Sequence, residues 1–127
     1  MEDSNFLSVI TGKRSAKIAI TDIIYVEREG RRLHICTEDD EFVIYAKLLD
    51  LKDCLDARFY FGATGWVINF DEVKLMEKFT VTFFNGRKLM FARDTFVKAR
   101  KAYNSYLMNE TICLPRRNGT AFQEDRA

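Results

Sequence analysis

Residues 20–29, the most informative stretch of the chain, read Ile-Thr-Asp-Ile-Ile-Tyr-Val-Glu-Arg-Glu. Its central part, 23–26, is a β-branched and aromatic run of the kind found in buried strands. Gly30 follows within a charged turn, where a residue with positive φ is easily placed. Leu33 and Ile35 then alternate with polar residues at a period of two, which is typical of a strand with one solvated face. The sequence therefore predicts a β-sheet that starts with a hairpin.

The remaining pattern predicts a mainly β chain with two helices. Leucines recur at helical spacing over 46–55, which indicates one short helix. Both alternating faces of 42–45 are apolar, which favours a central or well-covered strand. Asn85-Gly86 lies between two strand-like runs and predicts a two-residue hairpin loop in which both residues take positive φ. Apolar residues at helical spacing predict a second helix over 95–108.

Three segments of the chain resemble one known family. They are 22–27, which reads Asp-Ile-Ile-Tyr-Val-Glu, then Phe59 with Val67-Ile68-Asn69, and lastly Arg93 after the final hairpin. Together they resemble the LytTR family, the β-rich DNA-binding domain at the output end of many bacterial response regulators. That family carries an Asp-Ile-Ile-Tyr-Ile-Glu strand, a Phe-x-x-x-His-Arg-Ser-x-x-Val-Asn segment and a hairpin that ends in Ser-Arg.

The resemblance implies a mainly β fold, a LytTR-like elongated antiparallel β-sheet domain with one short internal helix and a C-terminal helix. We expect an N-terminal extension over 1–15, the LytTR-like DNA-binding domain over 16–108 and a flexible tail over 109–127. No room is left for the receiver domain of many family members, so a free-standing regulator is expected. Asn69 is expected to have a structural role, closing a turn with its side chain.

The middle segment departs from the family pattern. Where the family has His-Arg-Ser, this chain has Ala63, Thr64 and Gly65. His-Arg is the densest contact point of the family, and its replacement leaves a single hydroxyl and no charge. A lost phosphate contact removes about one unit from the salt dependence of DNA affinity.

The resemblance implies that double-stranded DNA is the partner, contacted by three loops, 28–32, 61–66 and 92–95. Arg93 matches the family's Ser-Arg arginine, whose guanidinium can fork onto a guanine edge or a phosphate. Either Arg31 or Arg32 occupies the first-hairpin contact position. The full set of predicted DNA-binding residues is Arg31, Arg32, Arg93 and Thr64, with Lys13, Arg14 and Lys88 as weaker phosphate contacts.

Composition sets the remaining expectations. The chain has 127 residues, 47% of them hydrophobic, which is enough for one domain. With 20 basic and 19 acidic residues the net charge is +1, so DNA binding must come from a local patch. Three scattered cysteines fit neither a disulfide framework nor a zinc site, which favours a reducing cytoplasm. No apolar run reaches about 18 residues, so no membrane insertion is expected.

Catalysis is not expected. The single histidine, His34, lies on an alternating strand without a nucleophile signature, and no phosphate loop or metal-ligand spacing occurs. We therefore predict no cofactor, no metal and no enzymatic activity. The regulator is expected to act as a homodimer or with a second regulatory protein. The alternative is a non-catalytic protein-interaction module with a LytTR-like fold that has lost DNA binding. An exposed aromatic patch formed by Tyr60, Phe61 and Trp66 would favour that alternative.

Overall fold

A computed structural model of the chain describes residues 6–62, 65–112 and 114. It is mainly antiparallel β-structure with one short helix and one C-terminal helix, which confirms the predicted fold class. The strands are β1 (Phe6–Ile10), β2 (Ser15–Ala19), β3 (Ile23–Glu29), β4 (Arg32–Thr37), β5 (Glu41–Tyr45), β6 (Phe59–Phe61), β7 (Trp66–Asn69), β8 (Val73–Glu77), β9 (Thr80–Phe83) and β10 (Lys88–Met90). The helices are α1 (Leu48–Lys52) and α2 (Arg93–Glu110), with short 3-10 turns at Ile20–Asp22 and Phe70–Glu72.

The central element is a five-stranded antiparallel sheet of order β5-β4-β3-β7-β6. Its middle strand, β3, pairs with β4 on one side and with β7 on the other, so that Val26 lies opposite both Ile35 and Val67. Strands β1 and β2 form a separate hairpin, and β10-β9-β8 form a three-stranded sheet. Every strand pair is antiparallel, which suits short connections between neighbours.

Apolar clusters cover both faces of the central sheet. On one face Val9 of β1 packs in the same cluster as Val26, together with residues of β2 and α1. On the other face Ile68 packs with Phe83 of the three-stranded sheet and Phe96 of α2. Since successive residues of a strand point to opposite faces, the apolar residues of β3 and β7 serve both clusters. Each fully buried side chain of this size contributes about 1.5–3 kcal/mol.

Two elements differ from expectation. Strand β5 was expected to be central or well covered, but it is an edge strand, with 37% of Val43 and 79% of Tyr45 exposed. Alternation reports which residues share a face of a strand, but not whether a second layer covers that face. Strand β1 lies inside the segment 1–15 that we expected to be an extension, and its Val9 is 1% exposed.

The β9–β10 hairpin lies where it was predicted, but its turn is of another kind. The Phe83 carbonyl accepts from the Gly86 N–H, and the Phe83 N–H donates to the Arg87 carbonyl, both at 2.9 Å. The loop is therefore three residues long, and only Gly86, at φ +94°, has a positive φ. The predicted two-residue loop is wrong because Phe84 joins the turn and Gly86 forms the bulge that closes it.

The two-residue turn with positive φ occurs one hairpin earlier. Lys78 and Phe79, at φ +53° and +63°, connect Glu77 and Thr80, which pair across the hairpin. Neither is a glycine, so both residues have a left-handed backbone conformation that L-residues rarely adopt. The ring of Phe79 contacts that of Phe96 on α2, with 5.6 Å between centroids, which holds the strained turn against the core.

Asn69 is fully buried, at 0% exposure, and joins two elements. Its Nδ2 donates to the Ile23 carbonyl at 2.8 Å, and its Oδ1 accepts from the Asp71 N–H at 2.9 Å. The side chain thus caps the turn after β7 and ties that turn to the start of β3. This confirms the predicted structural role. Within the described chain, no helix is both long and apolar enough to span a membrane.

Candidate nucleic-acid interface

One end of the central sheet collects three connections. Arg32 lies opposite both Glu29 and Tyr45, and Trp66 lies opposite Glu27. The β3–β4 turn, the segment that leaves β5 and the connection between β6 and β7 therefore lie at the same end of the sheet. Two of these are loops that the sequence assigned to DNA contact. We call this end of the sheet the loop end.

Strand β3 and the β6–β7 connection are tied together at the loop end. The Arg28 N–H donates to the Gly65 carbonyl at 2.9 Å, and the Gly62 N–H donates to the Trp66 carbonyl at 3.2 Å. Gly65 is buried and has φ +87°. A Cβ on Gly65 would lie 3.4 Å from Nε of Arg28, so the arginine side chain rests directly on the glycine.

Two of the predicted arginines, Arg31 and Arg32, lie in the β3–β4 hairpin. Arg31 is exposed and follows Gly30, whose φ is +64°. Arg32 is also exposed, and its Nη2 lies 3.2 Å from Oε1 of Glu29. An exposed ion pair contributes about 0–1 kcal/mol, so this pair does not prevent Arg32 from reaching a phosphate.

Arg93 is the first residue of α2 and is exposed. It follows Phe91 by two residues, and the Phe91 ring meets the Trp66 ring edge-on with 5.6 Å between centroids. Because Trp66 is the residue after Gly65, the chain leading to Arg93 comes from the loop end. The contact between Phe91 and Trp66 thus places the start of α2 beside the start of β7, whereas Arg31 and Arg32 lie in the β3–β4 hairpin.

The weaker candidates lie elsewhere. Lys13 and Arg14 are in the β1–β2 turn, and Nη2 of Arg14 lies 2.5 Å from Oδ2 of Asp40 in the β4–β5 turn. That turn is at the opposite end of the central sheet from the β3–β4 turn. The Arg14 guanidinium also lies 4.2 Å from the centroid of Phe42. Its hydrogen bond to Asp40 lowers the pKa of that carboxyl.

Lys88 begins β10, at the hairpin end of that strand, whereas Arg93 follows the other end. At about 3.3 Å per extended residue, the strand between them keeps their backbones roughly 15 Å apart. Lys88 therefore does not join Arg93. Thr64, the remaining predicted contact, lies outside the described residues together with Ala63.

Tyr60, Phe61 and Trp66 do not form the exposed aromatic patch that would favour the alternative function. Tyr60 stacks on Phe70 with 5.4 Å between ring centroids, and Trp66 lies 5.6 Å from Tyr25. Phe61 packs against the cluster on the opposite face of the central sheet. All three aromatic side chains are partly buried and they face different cores. These three residues therefore do not support the interpretation as a protein-interaction module.

His34 lies between two carboxylates. Its Nδ1 is 2.7 Å from Glu41 and its Nε2 is 2.8 Å from Glu29. The hydrogen bond to Glu41, and then that to Glu29, raises the pKa of His34 despite partial desolvation. Within residues 6–62, 65–112 and 114, no group of His, Cys, Asp or Glu side chains is arranged to hold a metal ion.

Two further basic residues lie at the loop end, Arg28 and Lys47. Both line a groove together with Arg31. Sequence reasoning placed Arg28 in the first contact loop, 28–32, without selecting it as a site residue, and it treated Lys47 only as a polar position of the short helix. The signal for Arg28 was the glycine at 65, but a sequence does not reveal which side chain lies over a glycine.

Comparison with known proteins agrees with the observed fold. The family model described as the LytTr DNA-binding domain matches residues 13–104. The fold is similar to that of the LytTr DNA-binding domain of a methyl-accepting/DNA response regulator from Bacillus cereus, with a TM-score of 0.66 and 13% identity. That alignment covers 79% of this chain and 97% of the other. None of the curated protein sequences matches this chain.

Proposed function

Because the chain belongs to the LytTR family of DNA-binding domains, we propose that it regulates transcription by binding short repeated sites in the major groove of DNA. The observation that carries the proposal is the position of Arg31, Arg32 and Arg93. All three are exposed, Arg31 and Arg32 in the β3–β4 hairpin and Arg93 at the start of α2. Guanidinium groups presented from loops can make bidentate bonds to guanine or to phosphate.

The proposed mechanism divides the work between these arginines. The β3–β4 turn projects Arg31 beyond the sheet, whereas Arg93 begins α2 and is supported by the contact between Phe91 and Trp66. A rigid sheet keeps the two positions at a fixed separation, so they address a fixed spacing of bases or phosphates. Arginines held at fixed positions can recognise bases selectively, because each good bidentate contact to a base discriminates by about 1–3 kcal/mol.

We propose that two protomers bind together on repeats about one helical turn apart. A single small module buries too little surface for tight specific binding, and two modules on one face of the duplex increase that area. The proposed place of action is the bacterial cytoplasm, where the chromosome lies.

The test is selection from a random duplex pool, followed by gel shifts of the enriched duplex at about 50 and 200 mM salt. Arg93→Gln is expected to weaken binding of the enriched duplex by about 5- to 150-fold, which corresponds to about 1–3 kcal/mol. The matched control is Arg100→Gln, an equally exposed arginine two turns further along α2. Failure to enrich any motif, or equal effects of the two substitutions, would contradict the proposal.

A further inference from the structure

A groove of about 750 Å³ opens at the loop end of the central sheet. It runs between the β3–β4 turn, the segment from Tyr45 to Asp50 and the two glycines that border the β6–β7 connection. Its basic residues are Arg28, Arg31 and Lys47, and its acidic residue is Asp50. The lining thus has an excess of positive charge in a chain whose overall net charge is only +1.

The three cations of the groove have no carboxylate partner within the described part of the chain. Asp50, the acid beside them, accepts a hydrogen bond from the Lys47 backbone N–H at 3.0 Å. By contrast, Arg14 pairs with Asp40 and Arg58 with Asp56. The charge of the groove is therefore not neutralised from within and is available to an anionic partner.

Lys47 occupies the N-cap position of α1, where lysine is not a preferred residue. It precedes the first residue of α1, where Ser, Thr, Asp or Asn would accept a backbone N–H of the helix. A lysine side chain has no acceptor, and it makes no capping bond here. Capping thus does not account for a lysine at 47, whereas a basic wall of the groove gives it a role.

Arg28 brings charge to the part of the molecule where the family pattern is missing. Its backbone is bonded to Gly65, and its guanidinium lies over that residue, next to where the family has His-Arg-Ser and this chain has no charge. A Cβ at position 65 would lie 3.4 Å from Nε, an ordinary van der Waals contact, so the glycine is required by its φ of +87° and not to make room for the arginine.

The groove also has an apolar wall. Tyr45, 79% exposed at the end of edge strand β5, lies beside Ala46 and Leu48. A basic rim over an aromatic and aliphatic wall suits a partner with regularly spaced negative charge and an apolar body between the charges. The backbone of a nucleic acid strand has this character, with one charge per about 3.4 Å of axis on each strand.

We propose that this groove holds the sugar–phosphate backbone of one DNA strand, with Arg28 and Lys47 as phosphate contacts that replace the charge absent from the middle segment. The proposal rests on the proposed function, because the bound duplex is the same. It assigns to these two residues a part in affinity, while Arg93 retains the part in site selection. Phosphate contacts fix the register of a protein on the duplex without reading bases.

The experiment measures the salt dependence of duplex binding by the full chain and by an Arg28→Gln/Lys47→Gln variant. A random-sequence duplex of about 30 base pairs is used alongside the enriched duplex. Loss of two phosphate contacts is expected to reduce the slope of log affinity against log salt by about 1.8. The ratio of the affinity of the unmodified protein to that of the variant then decreases by about 12-fold between about 50 and 200 mM salt, equally on both duplexes.

The matched control is Lys17→Gln/Lys74→Gln, which removes the same formal charge from exposed positions on β2 and β8. It is expected to leave the slope within about 0.5 of the unmodified protein, since neither lysine lines the groove. Circular dichroism of both variants checks that the fold is retained.

The outcomes separate the two proposals. If the unmodified protein binds duplex and Arg93→Gln weakens it, but the groove variant keeps the full slope, the groove assignment is overturned and the regulator stands. If the groove variant changes which motif is enriched, the groove reads bases and the phosphate assignment is overturned. If the unmodified protein binds no duplex at about 50 mM salt, both proposals fall together.

Discussion

Replacing Asn69 by alanine tests the most connected polar group of the core. The substitution removes the donor to the Ile23 carbonyl and the acceptor for the Asp71 N–H. Ile23 is fully buried, so its carbonyl would lose its partner away from water at a cost of about 1–3 kcal/mol. The partly exposed Asp71 N–H can turn to water, and its loss adds about 1 kcal/mol. The expected total is about 2–4 kcal/mol, a large share of the roughly 5–15 kcal/mol typical of a domain.

The assay is urea unfolding followed by fluorescence of Trp66, the single tryptophan of the chain. With a slope of about 2 kcal/mol per molar, the midpoint is expected to fall by about 1–2 M. Asn85→Ala is the matched control, because Asn85 also accepts an N–H two residues on, from Arg87 at 2.9 Å, but at the surface. A loss below about 1 kcal/mol for Asn69→Ala, or one equal to the control, would refute the reasoning.

Two further predictions concern strain and pH. Lys78→Gly should raise the free energy of unfolding by about 0.5–1 kcal/mol, because glycine accepts the positive φ that Lys78 holds at +53°; a lower urea midpoint would contradict this. Glu41 and Glu29 raise the pKa of His34 in the folded protein. The stability that protonated His34 contributes is therefore fully present below about pH 6.5, and it is lost as the pH rises through the pKa of the folded state. His34→Gln should therefore flatten the fall in stability between about pH 6 and 8, and proton NMR of the single histidine should give a pKa above the ordinary value. An unchanged pH profile in the variant would contradict the second prediction.

The fold was predictable to the extent that it depends on local pattern. The alternation around β3, the helical spacing of α2 and the turn residues of the β9–β10 hairpin each identified an element correctly. The exact turn was not predictable from Asn85-Gly86, because the choice between a two- and a three-residue loop depends on how the flanking strands pair. Likewise Val43 and Tyr45 alternate as they would in a central strand, although β5 is an edge strand of the central sheet.

The candidate site was predictable only in part, because charge along a chain does not show where its partner is. Arg14 and Arg31 look alike in sequence, yet Asp40 lies against Arg14 across a separation of 26 residues. Conversely, the shared position of Arg28 and Lys47 on one groove became visible only in the folded chain. The family resemblance predicts which loops contact DNA, whereas the environment of each basic side chain required the three-dimensional structure.

The hydrogen bond between the Arg28 amide and the Gly65 carbonyl has a consequence for dynamics. It spans 37 positions of the chain and closes only when β7 has docked on β3, so the loop end is assembled by the same event that completes the central sheet. Hydrogen exchange at this amide should therefore require sub-global opening rather than fraying of the β3–β4 turn. The rate would report directly on how often β3 and β7 separate at the loop end in the native ensemble. A surface that is rigid in this sense pays little ordering entropy when it meets its duplex.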